Sequence, residues 1–86
     1  GINPSFFMDI LIHTTEGCTY CDHMKELCRR AGVEYRTSNT PQDELLKMYP
    51  NCHGYPHVII DGEEIGGLVE AAKFFLKEGL VSVNKG

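Results

Sequence analysis

The sequence predicts one small α/β domain, with a four-stranded mixed sheet flanked by three helices in the order β-α-β-α-β-β-α. Three observations lead there. Short β-rich runs alternate with stretches whose apolar residues recur every three or four positions. An Asp-Gly pair separates the last two β-rich runs, and 86 residues are too few for two ordinary domains.

Met8 to His13 (MDILIH) reads as a first strand that runs into a loop, Thr14-Thr15-Glu16-Gly17. From Cys21, the residues Met24, Leu27, Cys28 and Ala31 fall on one face of a helix, and Asp22, His23, Lys25, Glu26, Arg29 and Arg30 fill the other. Arg29 and Arg30 suit the negative end of its dipole, and Gly32 stands where a left-handed cap would end it. Val33 to Thr37 alternates apolar and polar residues, which predicts a second strand parallel to the first through a right-handed crossover. Thr40-Pro41-Gln42-Asp43 offers an N-cap, a first-turn proline and an acid three residues beyond the cap. It should open a second helix carrying Leu45, Leu46, Met48 and Tyr49 and ending at Pro50. His57 to Ile60 and Glu63 to Ile65 form a hairpin about Asp61-Gly62, since both turn residues tolerate the positive φ that matches strand twist. After Gly66-Gly67, the residues Leu68, Val69, Ala72, Phe75 and Leu76 keep helical spacing to Gly79, with Leu80 placed to fold back on the last turn.

With 42% hydrophobic and 23% charged residues the chain has the composition of a globular domain, which excludes disorder and collagen-like structure. A chain of this size hides only roughly 60% of its unfolded surface, so its chemistry belongs in a shallow groove. Twelve acids against eight Lys and Arg give a net charge of −4, and Arg29-Arg30 is the only adjacent basic pair, so no nucleic-acid partner is expected. Apolar runs such as Ile10–Ile12 fall far short of the ~20 residues that span a bilayer, and no membrane association is expected. Gly1 to Phe7 precede an internal Met8 and read as a cloning remnant, leaving a single domain over 8–86, cytoplasmic by expectation.

The four cysteines, Cys18, Cys21, Cys28 and Cys52, could make two disulfides in a secreted scaffold, with three pairings. The apolar periodicity builds a core without such staples, and the tight Cys18-x-x-Cys21 argues for an intracellular redox or metal role. A structural zinc site would need partners for that pair. Cys52-His53 serves poorly, because adjacent side chains rarely both turn toward one ion, and no metal is expected. Redox chemistry remains. The thiolate is the nucleophile, and a free cysteine with pKa ~8.5 is only slightly ionised at neutral pH. Cys18 directly precedes a helix whose unsatisfied N–H groups and dipole converge on its sulfur, while Cys21 lies one turn inside. Cys18 is therefore the expected nucleophile and Cys21 the resolving thiol. Glu16 and Asp22 oppose the thiolate, and Lys25 and His23 offset them. Cys28, on the apolar stripe, is expected in the core, whereas Cys52 in its loop is as readily exposed as buried.

Cys18-Thr19-Tyr20-Cys21, Tyr55-Pro56 before a strand and Gly66-Gly67 after the hairpin together resemble a dithiol glutaredoxin of the thioredoxin-fold superfamily, over Met8 to about Val81. The resemblance implies a glutathione-dependent thiol–disulfide oxidoreductase, with Cys18 attacking and Cys21 resolving, and no bound cofactor beyond glutathione as reducing co-substrate. It makes Tyr20 a wall of the glutathione groove and Tyr55-Pro56 a cis bond, the Tyr55 main chain pairing with glutathione like an added strand. It assigns Gly66, Gly67 and Leu68 to the turn and helix start that receive the γ-glutamyl carboxylate. Disulfide-containing proteins, ribonucleotide reductase among them, are the implied partners of a monomer. Four positions depart from the family pattern. Thr19 replaces the usual proline, Gly54-Tyr55 the usual Thr-Val, Thr15 a basic residue, and Val69 an acid. His53 or Lys47 is left for the glycine carboxylate and Glu70 for the α-amine. Thr19 keeps open an alternative, a dimer sharing a glutathione-ligated two-iron two-sulfur cluster through Cys18. The missing contacts keep open another, a redoxin reduced by thioredoxin reductase.

Overall fold

In a computed structural model, which describes residues 8–81, the chain forms β1 (Ile10–Thr14), α1 (Thr19–Ala31), β2 (Arg36–Asn39), α2 (Gln42–Met48), β3 (His57–Ile60), β4 (Glu63–Gly66) and α3 (Leu68–Lys77). The remnant reading of Gly1–Phe7 lies outside the described residues. The sheet order is β2-β1-β3-β4. The β1–β2 pair is parallel, as the crossover argument requires, and the β1–β3 and β3–β4 pairs are antiparallel. The expected β-α-β-α-β-β-α order and four-stranded mixed sheet are thus the observed ones.

Strand alternation divides the sheet into two faces. Ile10 and Ile12 lie opposite Ile60 and Val58, and on this face they meet Met24 and Cys28 of α1 and Ala71 and Phe75 of α3. These side chains are almost wholly excluded from solvent and form the core, with Leu80 closing its edge. The Leu80 N–H bonds the Phe75 carbonyl at 2.9 Å, the fold-back anticipated from its position after Gly79. Helix α1 ends at Gly32 in the left-handed conformation, whose N–H returns to the last turn.

The other face is polar at one end. His13 of β1 and His57 of β3 are cross-strand neighbours, and the Tyr49 ring lies between them at 5.8 and 4.8 Å. His13 Nδ1 and Thr40 Oγ1 are 2.8 Å apart, and the Thr40 hydroxyl also bonds to Ser38. The expected N-cap is thereby displaced. Thr40 spends its hydroxyl on the buried imidazole, and α2 starts after Pro41 with no side-chain cap. The helix also stops at Met48, before Pro50, because Tyr49 turns onto the two imidazoles.

The second strand is displaced as well, from the expected Val33–Thr37 to Arg36–Asn39. The Val33 N–H bonds the Cys28 carbonyl in the cap of α1, and Val33 and Tyr35 pack on the core before the ladder with Leu11–Thr14 begins. The alternation is real, but its first half belongs to the approach. Asp61 (φ 53) and Gly62 (φ 81) make the tight turn between β3 and β4 with the positive φ values anticipated. No helix among the described residues is long and apolar enough to cross a membrane.

Burial, and secondarily His57, lowers the pKa of His13 below its ordinary 6.5. Its Nε2 is buried without a hydrogen-bond partner, so the charged form has nowhere to place its second N–H. The unfolded chain therefore binds a proton that the folded chain refuses, and stability falls as pH drops through 6.5. Thermal melts from pH 7.5 to 5.5 should show this decline in the wild type and a visibly smaller one in His13→Phe; parallel declines would rule out His13 as the group responsible.

Candidate functional site: a disulfide at a helix start beside a cis-proline groove

The loop after β1 delivers Cys18 to the N-cap of α1 in an extended conformation (φ −97, ψ 104). Its sulfur accepts the N–H of Cys21 at 3.0 Å. This is the helix-start contact expected of the outer cysteine, with sulfur standing where an oxygen usually caps. Cys18 and Cys21 are joined in a disulfide across a Cα–Cα distance of 5.2 Å. Cys18 is half-buried, whereas Cys21 is 2% exposed and rooted in the core side of the helix. The outer sulfur is therefore the one a substrate can reach. A shallow cavity of about 420 Å³ lies over the pair, with Thr15, Glu16, Thr19, Asp22 and Lys25 on its walls. Lys25 Nζ lies 3.9 Å from the Asp22 carboxylate.

A second open cavity of the same size is bounded by Tyr55, Pro56, Gly66, Gly67, Cys52 and Glu70, together with His53, His57 and Glu64. The Tyr55–Pro56 bond is cis. Tyr55 donates its hydroxyl to the Thr40 carbonyl, tying this loop to the polar face of the sheet. Burial, then the neighbouring Cys52 and Asp43, raises the Tyr55 hydroxyl above its usual range and keeps it a donor. A register shift in the β3–β4 ladder pairs Val58 with Gly66 and Ile59 with Glu64, which leaves Ile65 as an extra residue. That bulge turns the chain so that Gly67 approaches Pro56, and a Cβ on Gly67 would sit 3.5 Å from the Pro56 carbonyl oxygen. Gly66 has φ +126, and a Cβ there would lie 3.0 Å from Cβ and Cγ of Glu70. Glycine at 66 is thus required both by conformation and by space.

The predicted site residues divide between these places. Cys18 and Cys21 line the first cavity, and Tyr55, Pro56, Gly66 and Gly67 line the second. Tyr20 lies on the outer side of the first turn of α1, 63% exposed and tilted against His23, and lines neither of the two. Leu68 begins α3 but packs half-buried against the core, so only its backbone is available to the groove. Glu70, left for the α-amine in the sequence, meets at this cavity the pair His57–Glu64 and the thiol of Cys52, which the sequence does not place in the groove. Glu70 accepts the Gly67 N–H at 3.0 Å, and its own N–H and that of Gly67 hold its carboxyl below the usual range. An acid three residues after the glycine is the sequence signal for such a cap. His57 Nε2 meets Glu64 Oε2 at 2.8 Å, a contact that depends on the β3–β4 register. Cys52 is half-buried, donating to the Gly54 carbonyl at 3.2 Å and accepting its N–H at 3.4 Å. Cys28 is wholly buried, and burial pushes its thiol up to about 11, so it is inert as a nucleophile. Cys28 and Cys52 are both free thiols, which excludes the two-disulfide scaffold. Among the described residues no group of three or more His, Cys, Asp or Glu is placed to hold a metal ion.

A cysteine pair at a helix start and a cis-proline loop, both on a four-stranded mixed sheet, define a dithiol redox protein of thioredoxin-like fold. More particularly, the sequence model of the glutaredoxin family matches residues 10–65, and the chain belongs to that family. It is 38% identical over 74 residues to glutaredoxin 3 of Danio rerio, covering 80% of this chain and 22% of that protein. It is 36% identical over 55 residues to glutaredoxin-3 of Homo sapiens, covering 59% of this chain and 16% of that one. The chain therefore spans about a fifth of the length of these relatives. Among solved structures, the holo form of glutaredoxin C1 from Populus tremula x tremuloides superposes with a TM-score of 0.67 at 22% identity, over 83% of this chain and 77% of that one. A buckwheat glutaredoxin–glutathione complex superposes at 0.66 with 24% identity, over 83% and 70%. These likenesses show the fold.

The geometry at Gly66 makes a direct prediction. Gly66→Ala should destabilise the protein by about 1 to 3 kcal/mol, the usual cost of forcing a side chain into such a conformation. Denaturant unfolding would measure it, and a change within about 0.5 kcal/mol, the range of ordinary surface substitutions, would contradict the crowding against Glu70.

Proposed function

We propose that the protein is a glutathione-dependent thiol–disulfide oxidoreductase that reduces protein disulfides and glutathione mixed disulfides. The observation that carries this reading is the half-buried Cys18 sulfur at the N-cap of α1, receiving the Cys21 N–H and disulfide-bonded to a buried Cys21. That N–H favours negative charge on the outer sulfur, and burial of Cys21 leaves it only one target, Cys18.

With a glutathionylated protein, the Cys18 thiolate attacks the glutathione sulfur. The mixed disulfide breaks, the protein thiolate leaves and takes up a proton, and the glutathionyl group stays on Cys18. A glutathione thiolate then attacks that sulfur, forming glutathione disulfide and restoring Cys18. With a protein disulfide, Cys18 forms a mixed disulfide and frees one substrate thiol. Cys21 then attacks Cys18, releases the second thiol and closes the disulfide found here. Two electrons have passed to the substrate, and two glutathione molecules return them.

The groove beside Tyr55-Pro56 is the proposed glutathione site. Tyr55 and Pro56 line this groove together with the bulged Gly66-Gly67 turn at the start of α3, and in this reading the Tyr55 main chain pairs with glutathione like an added strand. Glutathione is bound by the buckwheat glutaredoxin of the same fold, which supports placing it here. In this reading Leu68 contributes only its N–H, Glu70 serves the γ-glutamyl end, and Tyr20, outside both cavities here, is an outer wall.

The roles separate by mutation. Cys18→Ser should abolish both activities, by at least about a thousandfold as loss of a covalent nucleophile implies. Cys21→Ser should keep glutathione-dependent deglutathionylation within about tenfold of wild type and lose reduction of protein disulfides. Assays coupled to glutathione reductase measure both, and equal loss of both activities in Cys21→Ser would contradict the assignment.

A further inference from the structure

We propose that His57 and Glu64 are a positioning pair that holds the cis-proline loop and the Gly66-Gly67 turn at the spacing a glutathionyl group requires. The pair acts at the groove beside Tyr55-Pro56, and the proposal rests on reading that groove as the glutathione site.

Two walls of the groove come from different strands. Tyr55 and Pro56 lead into β3, and Gly66 and Gly67 lead out of β4. The backbone ladder between them is regular at Ile60↔Glu63 and Ile59↔Glu64, then shifts to Val58↔Gly66 and leaves Ile65 unpaired. A bulge bends the strand that carries it, so the approach of Gly67 to the Pro56 carbonyl depends on how far β4 bends there. His57 and Glu64 bridge the irregularity. Glu64 lies opposite Ile59, and His57, two residues from Ile59 on the same face, is its diagonal neighbour. A carboxylate only accepts, so His57 donates from Nε2 to Glu64 Oε2 at 2.8 Å. That bond joins the residue after Pro56 to the last paired residue before the bulge.

The two ends of the bond differ in freedom. His57 is 3% exposed, with the Tyr49 ring at 4.8 Å and His13 opposite it on β1. Tyr55, on the other side of Pro56, is tied through its hydroxyl to the Thr40 carbonyl. The imidazole is thus a fixed anchor, whereas the Glu64 side chain is 41% exposed and is held to the wall by this bond. Charge by itself gives Glu64 the opposite effect, since a carboxylate in the groove disfavours an anionic ligand such as glutathione. Removing the carboxylate therefore weakens recognition of a glutathionyl group if the pair positions the wall, and strengthens it if Glu64 is only a surface charge.

Single turnovers of reduced, reductant-free protein with glutathione disulfide and with bis(2-hydroxyethyl) disulfide test the proposal. With either, the Cys18 thiolate attacks one sulfur, the substrate S–S bond breaks and the departing thiolate takes up a proton. Cys21, having given its proton to solvent, then attacks Cys18 and expels the second thiolate, which is protonated in turn, so the pair loses two electrons and one disulfide becomes two thiols. Each rate constant is divided by that of the same disulfide with free 2-mercaptoethanol, and the ratio of the two corrected constants is the glutathionyl preference, from which the reactivity of Cys18 itself cancels. The preference should fall about tenfold or more in Glu64→Ala, as misplacement of a substrate-positioning wall implies. It should stay near wild type in Glu64→Gln, which loses the charge but keeps an oxygen to accept from His57. The losses in Glu64→Ala and His57→Phe should not multiply in the double variant, because both remove the same contact. Should His57→Phe fail to fold, the comparison of Glu64→Ala with Glu64→Gln decides alone. An unchanged or higher preference in Glu64→Ala, an equal loss in Glu64→Gln, or losses that multiply would overturn the positioning pair while leaving the glutathione reading standing. A wild-type preference near one would overturn both.

Discussion

A single backbone N–H, that of Cys21, reaches the sulfur of Cys18 at 3.0 Å, and the redox face is arranged around that contact. A helix start leaves its first N–H groups without partners, and a sulfur at the N-cap takes one of them. Helix α1 is itself held by Met24 and Cys28, buried against Ile10, Ile12 and Phe75, so the helix cannot shift without opening the core. The redox geometry is thus anchored by packing on one face of the sheet, and chemistry at Cys18 inherits the rigidity of the domain. Cys28, on the same helix two turns further, shows what the same side chain does without such a donor. Buried in apolar surroundings, its thiol rises to about 11.

The opposite face performs a different task. His13, Tyr49 and His57 form a cluster of mutually tilted rings joined through Thr40 to Ser38 and to the hydroxyl of Tyr55. This polar seam links the end of β1, which leads to Cys18, with the cis-proline loop and with Glu64 beside the groove. One nitrogen of the seam, His13 Nε2, is left without a partner, a cost the fold accepts while the ring is neutral. Positioning of the groove and tolerance of acid are therefore properties of the same buried residues.

Much of this is legible in the amino-acid sequence. The core face follows from Ile10, Ile12, Val58 and Ile60 at alternate positions and from the three-and-four spacing through Met24, Cys28 and Phe75, whereas Val69 and Leu76, expected on the same stripe of α3, are exposed and Ala71 is buried instead. The cap at Gly32 and the turn at Asp61-Gly62 were readable because their residues have narrow conformational uses. Elsewhere a local signal yielded to a distant partner. Thr40-Pro41 has the form of a helix start, yet the Thr40 hydroxyl is claimed by His13, 27 residues away. Val33 to Thr37 alternates like a strand, but Val33 completes the cap of α1. The cysteine pair could be read from its spacing, and the cis-proline loop from its resemblance to a family. The meeting of Cys52, Glu64 and Glu70 at one cavity required the bulge at Ile65, which no local pattern announces.

One sulfur of the four is selected by its place at the helix start. Limited alkylation of the fully reduced native protein tests it most directly, with iodoacetamide below one equivalent and the labelled cysteine located by mass spectrometry. Cys18 should take the first label, about tenfold or more ahead of Cys21 and Cys52, with Cys28 unlabelled until the chain unfolds. Equal labelling of Cys18 and Cys21, or first labelling at Cys52, would contradict it.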